Sequence, residues 1–468
     1  MEPIKKGDIL ENLVITDTGA EGNAMARMEN FVVFAEGGVP GDIVDVRIFR
    51  KKKNYAEGRV VKINTPSELR ESPFCEYFGT CGGCRWQHMS YAAQLKFKQK
   101  HVEDALQRIS KVELPQATPI LGSEKIRYYR NKLEFSFSDR RWLTEEDLAS
   151  GKSGNEPALG FHVPGRFNKI LDITECFLQD DLSNLIRNEI RSFALANSYS
   201  FFNPYDQNGL LRNVIIRSTS TGEWMVVLVF KENDEEKIVK MLKHLITKFP
   251  QLTSVQYVVN GKRNDSISDQ EVLLFHGRDY IEERMENLVF RISAKSFYQT
   301  NSLQAYELYK ITRTYASLSG DENVYDLYTG TGTIASFVAS SAKHVVGVDY
   351  IVDAIEDARK NAKLNNINNA SFLSGDLKDT LNDSFISTYG QPDVIITDPP
   401  RSGMHEDVVK TILKADPKRI VYVSCNPSSQ ARDIQILDPN YSVEAYRPVD
   451  MFPHTTHVEN VMLLKRRK

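Results

Sequence analysis

Asn323-Val324-Tyr325-Asp326-Leu327-Tyr328-Thr329-Gly330-Thr331-Gly332-Thr333 runs from an apolar strand pattern into a glycine-rich turn and on into a helical pattern. A short apolar strand, a turn of small residues and a returning helix form the repeating unit of a doubly wound parallel sheet. The alternation continues through His344-Val345-Val346-Gly347-Val348-Asp349 and a further helical stretch. Ligands of such sheets gather outside the carboxyl ends of the strands. There Asp349 can accept both ribose hydroxyls of an adenosyl group, and Asp376, after Gly375, is placed to reach the adenine edge. A dinucleotide fingerprint needs a third glycine in register, and Ala335-Ser336 supply none. The pattern therefore favours S-adenosylmethionine over NAD.

Downstream, Val421-Tyr422-Val423-Ser424-Cys425-Asn426-Pro427 leaves one thiol at the end of a strand. Asp398-Pro399-Pro400-Arg401 closes the preceding strand pattern, and His457-Val458-Glu459 follows the next. A cysteine is intrinsically the most nucleophilic side chain, and a nearby cation such as Arg401 is the candidate that would lower its pKa. Amino-methyltransferases carry an aromatic after the two prolines, where Arg401 stands here. That points away from nitrogen chemistry. A pyrimidine carbon has no nucleophilic lone pair, so methylating it requires a covalent adduct and hence a nucleophile such as Cys425. His454 and His457 have no third ligand nearby in sequence, which argues against a metal pair.

The other four cysteines are Cys75, Cys81 and Cys84, in the spacing C-x5-C-G-G-C, and the remote Cys176. Four thiolates hold either a tetrahedral zinc or an iron-sulfur cluster, and three close cysteines with one distant favour a 4Fe-4S site. No motif sets these cysteines beside Cys425, so the cluster is expected to be structural.

Residues 1 to about 65 read as five short strands broken by glycines, a small OB-like barrel. Arg50-Lys51-Lys52-Lys53-Asn54-Tyr55 reads as a basic loop joining its last two strands, suited to a phosphate backbone, and Asn64-Thr65-Pro66-Ser67 as a linker. Residues 66–290 read as an α+β domain with a helix over 92–110 and strands at Lys132–Phe137 and Trp224–Phe230. Residues 291–468 form the doubly wound domain.

With 468 residues, 41% hydrophobic and 26% charged, the chain is expected to be a soluble multidomain protein, cytoplasmic and monomeric. No apolar run approaches a membrane span, and Met1-Glu2-Pro3-Ile4-Lys5-Lys6 lacks a signal-peptide core. The net charge of -3 says little, since nucleic-acid binding depends on the clustering of charge.

Five motifs in order, Ser296-Phe297-Tyr298-Gln299-Thr300-Asn301, Asp326-Leu327-Tyr328, Asp398-Pro399-Pro400-Arg401-Ser402-Gly403, Ser424-Cys425-Asn426-Pro427 and Pro453-His454-Thr455-Thr456-His457-Val458-Glu459, resemble the RNA uracil-5 methyltransferase family, specifically its 23S ribosomal RNA branch, over essentially the whole chain. The resemblance implies an N-terminal TRAM barrel, a central domain whose 4Fe-4S cluster is held by Cys75, Cys81, Cys84 and Cys176, and a Rossmann-like class I methyltransferase domain. It implies Cys425 as nucleophile, Glu459 as base, and Gln299, Tyr328, Thr333, Asp349, Asp376 and Asp398 around S-adenosylmethionine, Asp398 also near the uracil. The expected partner is 23S ribosomal RNA before full ribosome assembly, with the T-loop of transfer RNA, or RNA binding without turnover, as alternatives. Four positions depart from the family's habit: Tyr328 and Thr329 stand for Phe-Cys, Thr333 for Asn, and Asp349 for Glu.

Overall fold

The computed structural model describes residues 4–19, 21–29 and 31–467, so Met1-Glu2-Pro3 of the leader reading lies outside it. Its last sheet has the strand order Ala370–Ser374, His344–Asp349, Asn323–Leu327, Val394–Thr397, Arg419–Ser424, Glu459–Arg466, Tyr441–Val449. The first five strands are parallel and the last two antiparallel. Val394–Thr397 and most of Asn323–Leu327 and Arg419–Ser424 are buried, which is why they read as near-continuous apolar runs. Strand order reverses between Asn323–Leu327 and Val394–Thr397, so the ligand crevice opens where Tyr328 and Asp398 leave the sheet. Gly332 caps the following helix at a φ of 73°, and a Cβ there would lie 2.8 Å from the Phe372 ring.

The N-terminal region forms a six-stranded sheet, and its strand Ile43–Lys51 runs on into what reads in sequence as a basic loop. Only Lys52-Lys53-Asn54 remain as a turn before the strand Tyr55–Thr65. The charges are carried by a hairpin end because β-pairing continues wherever both backbones stay extended. The linker reading fails for a similar reason: Asn64 and Thr65 belong to that strand, Ser67 Oγ donates to Pro40 O at 2.7 Å, and Asp42 Oδ1 accepts from Ser67 N. Gly22, at a φ of 86°, seats this region on the last one, since a Cβ there would collide with Thr456 Cγ2.

A seven-stranded mixed sheet with the helices Asp181–Ala196 and Glu235–Lys248 makes the central region α+β. One face of this sheet, with Ile215, Val227 and Val258, shares a single apolar core with Leu308, Val324 and Ile396 of the parallel sheet's side. The helix Tyr91–Ala105, continued by a π-helical turn over Leu106–Ser110, lies in the central stretch of sequence but packs Val102 and Leu106 against Ile434, Leu437 and Tyr446. Leu121 then bridges to Val449. The chain thus lends a helix of its central region to the last sheet. Among the described residues, no helix is long and apolar enough to cross a membrane.

Candidate active site

Register brings the thiol and its partner together. Arg419–Ser424 pairs antiparallel with Glu459–Arg466 so that Ser424 faces Asn460, and Cys425 leaves the end of the one strand where Glu459 begins the other, close enough for its thiol to feel that carboxylate. Asn426 then caps the helix Pro427–Leu437, accepting from Ser428 N at 3.1 Å with proline at the first turn, so Cys425 sits at that helix's positive end. Asn426 Nδ2 also donates to Arg401 O at 2.9 Å, tying the loop after Asp398 to the nucleophile.

The electrostatics correct one expectation. Burial, then Glu459 and Asp398, push the Cys425 thiol up to about 12, and Arg401 offsets only part of this. Arg401 therefore does not by itself make a thiolate. Its guanidinium donates to the His457 ring, 2.9 Å from Nδ1, and His457 is held neutral at about 4 by burial and by that cation. Glu459 is raised to about 8 by burial and by Asp398, and Asp398 to about 7 by burial and by Asp326. A base and a second carboxylate poised near neutrality beside a nucleophile is the arrangement expected of proton-transfer chemistry. For stability the sign is the reverse of the usual carboxylate: the unfolded state gives up these protons first, so stability falls as pH rises from about 4 toward 8. Asp398→Asn is therefore expected to raise the thermal midpoint at pH 8 by a few degrees and to change it little at pH 5, as read by scanning fluorimetry.

Around the switch point the glycine turn is fixed by Asp349, whose Oδ2 accepts from Gly330 N and Oδ1 from Ile351 N, both at 2.9 Å. Tyr328 follows the strand at a φ of 61°, a strained conformation for a non-glycine. Thr333 is buried at the start of its helix, 3.3 Å from the Thr331 hydroxyl, and Gln299 bonds the Tyr309 hydroxyl. Asp376 caps a short helix through Lys378 N and pairs with Lys378 Nζ at 3.3 Å. All six predicted ligand residues thus lie on the carboxyl-end side of the sheet or on loops against it.

Sequence reasoning missed two groups. Asp326 is fully buried, raised to about 7, and holds the turn through Thr329 Oγ1 at 2.5 Å and Ala335 N at 3.1 Å. Tyr309, on the helix Ser302–Ala316, feels both Asp398 and Asp326, and its hydroxyl is driven far up by burial. Asp326 stands within a motif quoted from the sequence but was given no role there, and Tyr309 follows the motif that ends at Asn301.

A cleft of about 540 Å³ opens beside Cys425 and is lined by Arg85, Arg130, Arg401, Asn426, Thr455 and His457, and by Glu21 from the N-terminal region. Gly82 and Gly83 of the cysteine loop line it too. The loop that carries the cysteines therefore reaches this cleft, though none of its cysteines lines it: Arg85 N and Trp86 N, just past Cys84, both donate to His454 O, at 2.7 and 3.0 Å. Cys75, Cys81, Cys84 and Cys176 face one small pocket, and burial raises all four thiols, Cys81 to about 11 and Cys84 to about 12. Among the described residues, no three His, Cys, Asp or Glu side chains are grouped as ligands of a single ion. His454 bonds Gln94 rather than facing His457 in a metal pair.

Comparison with known proteins matches this geometry. The profile of the tRNA (uracil-5-)-methyltransferase family covers residues 207–467, and that of the TRAM domain residues 7–61. An uncharacterised RNA methyltransferase of Bacteroides thetaiotaomicron is 54% identical over 96% of this chain and all of its own length. One from Chlorobaculum tepidum is 37% identical over 99% of this chain and 97% of its own. The crystal structure of the Pyrococcus abyssi tRNA (uracil-54, C5)-methyltransferase, in complex with S-adenosyl-L-homocysteine, superposes with a TM-score of 0.74 at 29% identity, covering 97% of this chain and all of that one. The chain belongs to the uracil-5 RNA methyltransferase family, with a TRAM domain at its N-terminal end.

Proposed function

We propose that the protein methylates carbon 5 of an unpaired uridine in 23S ribosomal RNA by way of a thioether between Cys425 and carbon 6. The observation that carries this reading is the meeting of Cys425 and Glu459 at the ends of two paired strands, with the Asp398 carboxylate acting on the same thiol. S-adenosylmethionine supplies the methyl as an electrophile. Gln299, Tyr328, Thr333, Asp349 and Asp376 would hold it at the strand ends, where a glycine turn fixed by a carboxylate suits an adenosyl group.

Cys425 gives up its proton to water in the cleft and adds as thiolate to carbon 6, and the electron pair of the broken double bond moves to carbon 5 and the adjoining carbonyl. Carbon 5, now nucleophilic, takes the methyl; its bond to the sulfonium breaks, and the spent donor would leave as a neutral thioether. Glu459 as carboxylate removes the carbon 5 proton, the double bond reforms, and the thiolate leaves. A carboxylate near pH 8 matches that task. Asp398, half protonated near neutrality, can donate to a uracil carbonyl that gains charge during addition. The arginine-lined cleft suits a phosphate backbone, and a flipped base costs least where it is already unpaired.

The four cysteines that share a pocket, Cys176 buried and the other three half-buried, fit a 4Fe-4S cluster better than zinc. Zinc draws each thiolate to about 2.3 Å, hence the sulfurs to within ~4 Å of one another. A 4Fe-4S cluster holds its thiolates at wider corners, and three closely spaced cysteines with one remote, sharing one pocket, suit that spread. Anaerobic reconstitution with iron and sulfide is expected to give a broad visible absorbance that Cys176→Ser weakens strongly. A colourless reconstituted protein would exclude the cluster.

Transfer RNA is the second reading, because the Pyrococcus tRNA enzyme shares the full architecture. Incubation with tritiated S-adenosylmethionine and 23S or transfer RNA transcripts, followed by nuclease mapping, decides between them. Label at carbon 5 of a ribosomal uridine is expected. Label in transfer RNA keeps the chemistry and changes the partner, and no label in either refutes the proposal.

A further inference from the structure

The loop between the strands Tyr441–Val449 and Glu459–Arg466 supplies Thr455, Thr456 and His457 to the wall of the Cys425 cleft and ends at Glu459. It is not a default conformation: His454 sits at a φ of 65°. What holds it comes from more than 350 positions earlier in the chain. Asp450, at its root, is fully buried; its Oδ1 accepts from Lys98 Nζ at 2.6 Å and Phe452 N at 3.1 Å, and its Oδ2 from the Tyr91 hydroxyl at 2.9 Å. Lys98 Nζ, also fully buried, donates again to Phe452 O at 3.0 Å. Gln94 grips the next turn of the loop, its Oε1 accepting from His454 N at 2.9 Å and its Nε2 lying 3.2 Å from His454 Nδ1. Tyr91, Gln94 and Lys98 follow the three- and four-residue spacing that puts side chains on one face of their helix.

A buried ion pair is weak evidence for stability, since apolar residues of similar volume often serve as well, and its best-attested use is to fix a register. Here it fixes the root of the loop that walls the cleft. We propose that Lys98 and Asp450, supported by Tyr91, are positioning residues that set the uridine-binding wall of the site while leaving the methyl-donor half untouched. This rests on the proposed covalent chemistry. The donor half is built on the ends of other strands, and none of its proposed residues bonds this clamp.

RNA made with 5-fluorouridine separates the two halves. The thiol adds to carbon 6 and carbon 5 takes the methyl, but fluorine cannot leave as a proton, so the thioether persists and can be counted on a denaturing gel. With a mixture of fluorinated 23S and transfer RNA transcripts, Lys98→Met and Asp450→Asn are expected to slow capture about 10- to 100-fold, as a displaced site does, with calorimetric affinity for S-adenosylmethionine unchanged. Tyr91→Phe, the mildest change, should slow it severalfold at a near wild-type melting temperature. In the pair Lys98→Met with Asp450→Leu, apolar packing should restore the melting temperature but not capture. A stable pair that captures at the wild-type rate, or a parallel loss of donor affinity in all variants, would overturn the assignment. Absence of capture by the wild-type protein would instead sink the covalent reading beneath it.

Discussion

Cys425→Ala is expected to lose methyl transfer by at least about 10⁴-fold and to form no RNA adduct, while still binding S-adenosylmethionine. Carbon 5 of uracil cannot attack a sulfonium unaided, so no residual route should survive beyond slow background. The substitution is structurally mild, because the thiol is only half-buried and the neighbouring Asn426 cap and Ser424 contacts remain. It also removes an acid that two carboxylates repel. Melting temperature and donor affinity close to wild type, together with lost turnover, would therefore assign the loss to chemistry. Turnover within tenfold of wild type would remove Cys425 as nucleophile.

The same thiol marks where sequence was legible and where it was not. The parallel sheet could be read because strands buried on both faces must be apolar along their length, as Val394–Thr397 is. The strand ends could be read because turn chemistry is local: Asn426-Pro427 announces a helix start wherever it stands. Motif order suggested that Cys425 and Glu459 meet but could not say how, since strand pairing across 34 residues depends on a register that no local pattern encodes. The helix Tyr91–Ala105 was legible as a helix, yet its periodicity says only that one face is covered and not by what. Its partners lie more than 300 residues away, so a contiguous division of the chain assigns it to the wrong neighbour. The reach of the cysteine loop was illegible for the same reason: Gly82 and Gly83 come to the Cys425 cleft through space alone. Asp326, though part of a quoted motif, and Tyr309 were given no role because each is buried, where a residue serves packing as readily as chemistry.

Glu459→Gln is expected to lower turnover about 10²- to 10⁴-fold, the usual worth of a placed general base, and to do so without slowing capture of fluorinated RNA. The two readouts separate because addition and methyl transfer precede proton removal. On ordinary RNA the variant should therefore accumulate methylated adduct that the wild-type protein releases. Its pH dependence supplies a second check. Burial and Asp398 keep Glu459 protonated up to about 8, so wild-type kcat/KM should climb as pH rises through 7 to 8 and the carboxylate forms. Glutamine cannot titrate, and that limb should flatten even where the residual rate is low. If the limb persists in the variant, Asp398, raised to about 7 beside it, is the group that titrates. If capture falls together with turnover, Glu459 acts earlier, on the proton of Cys425, and its place in the sequence of steps moves from the last proton transfer to the first.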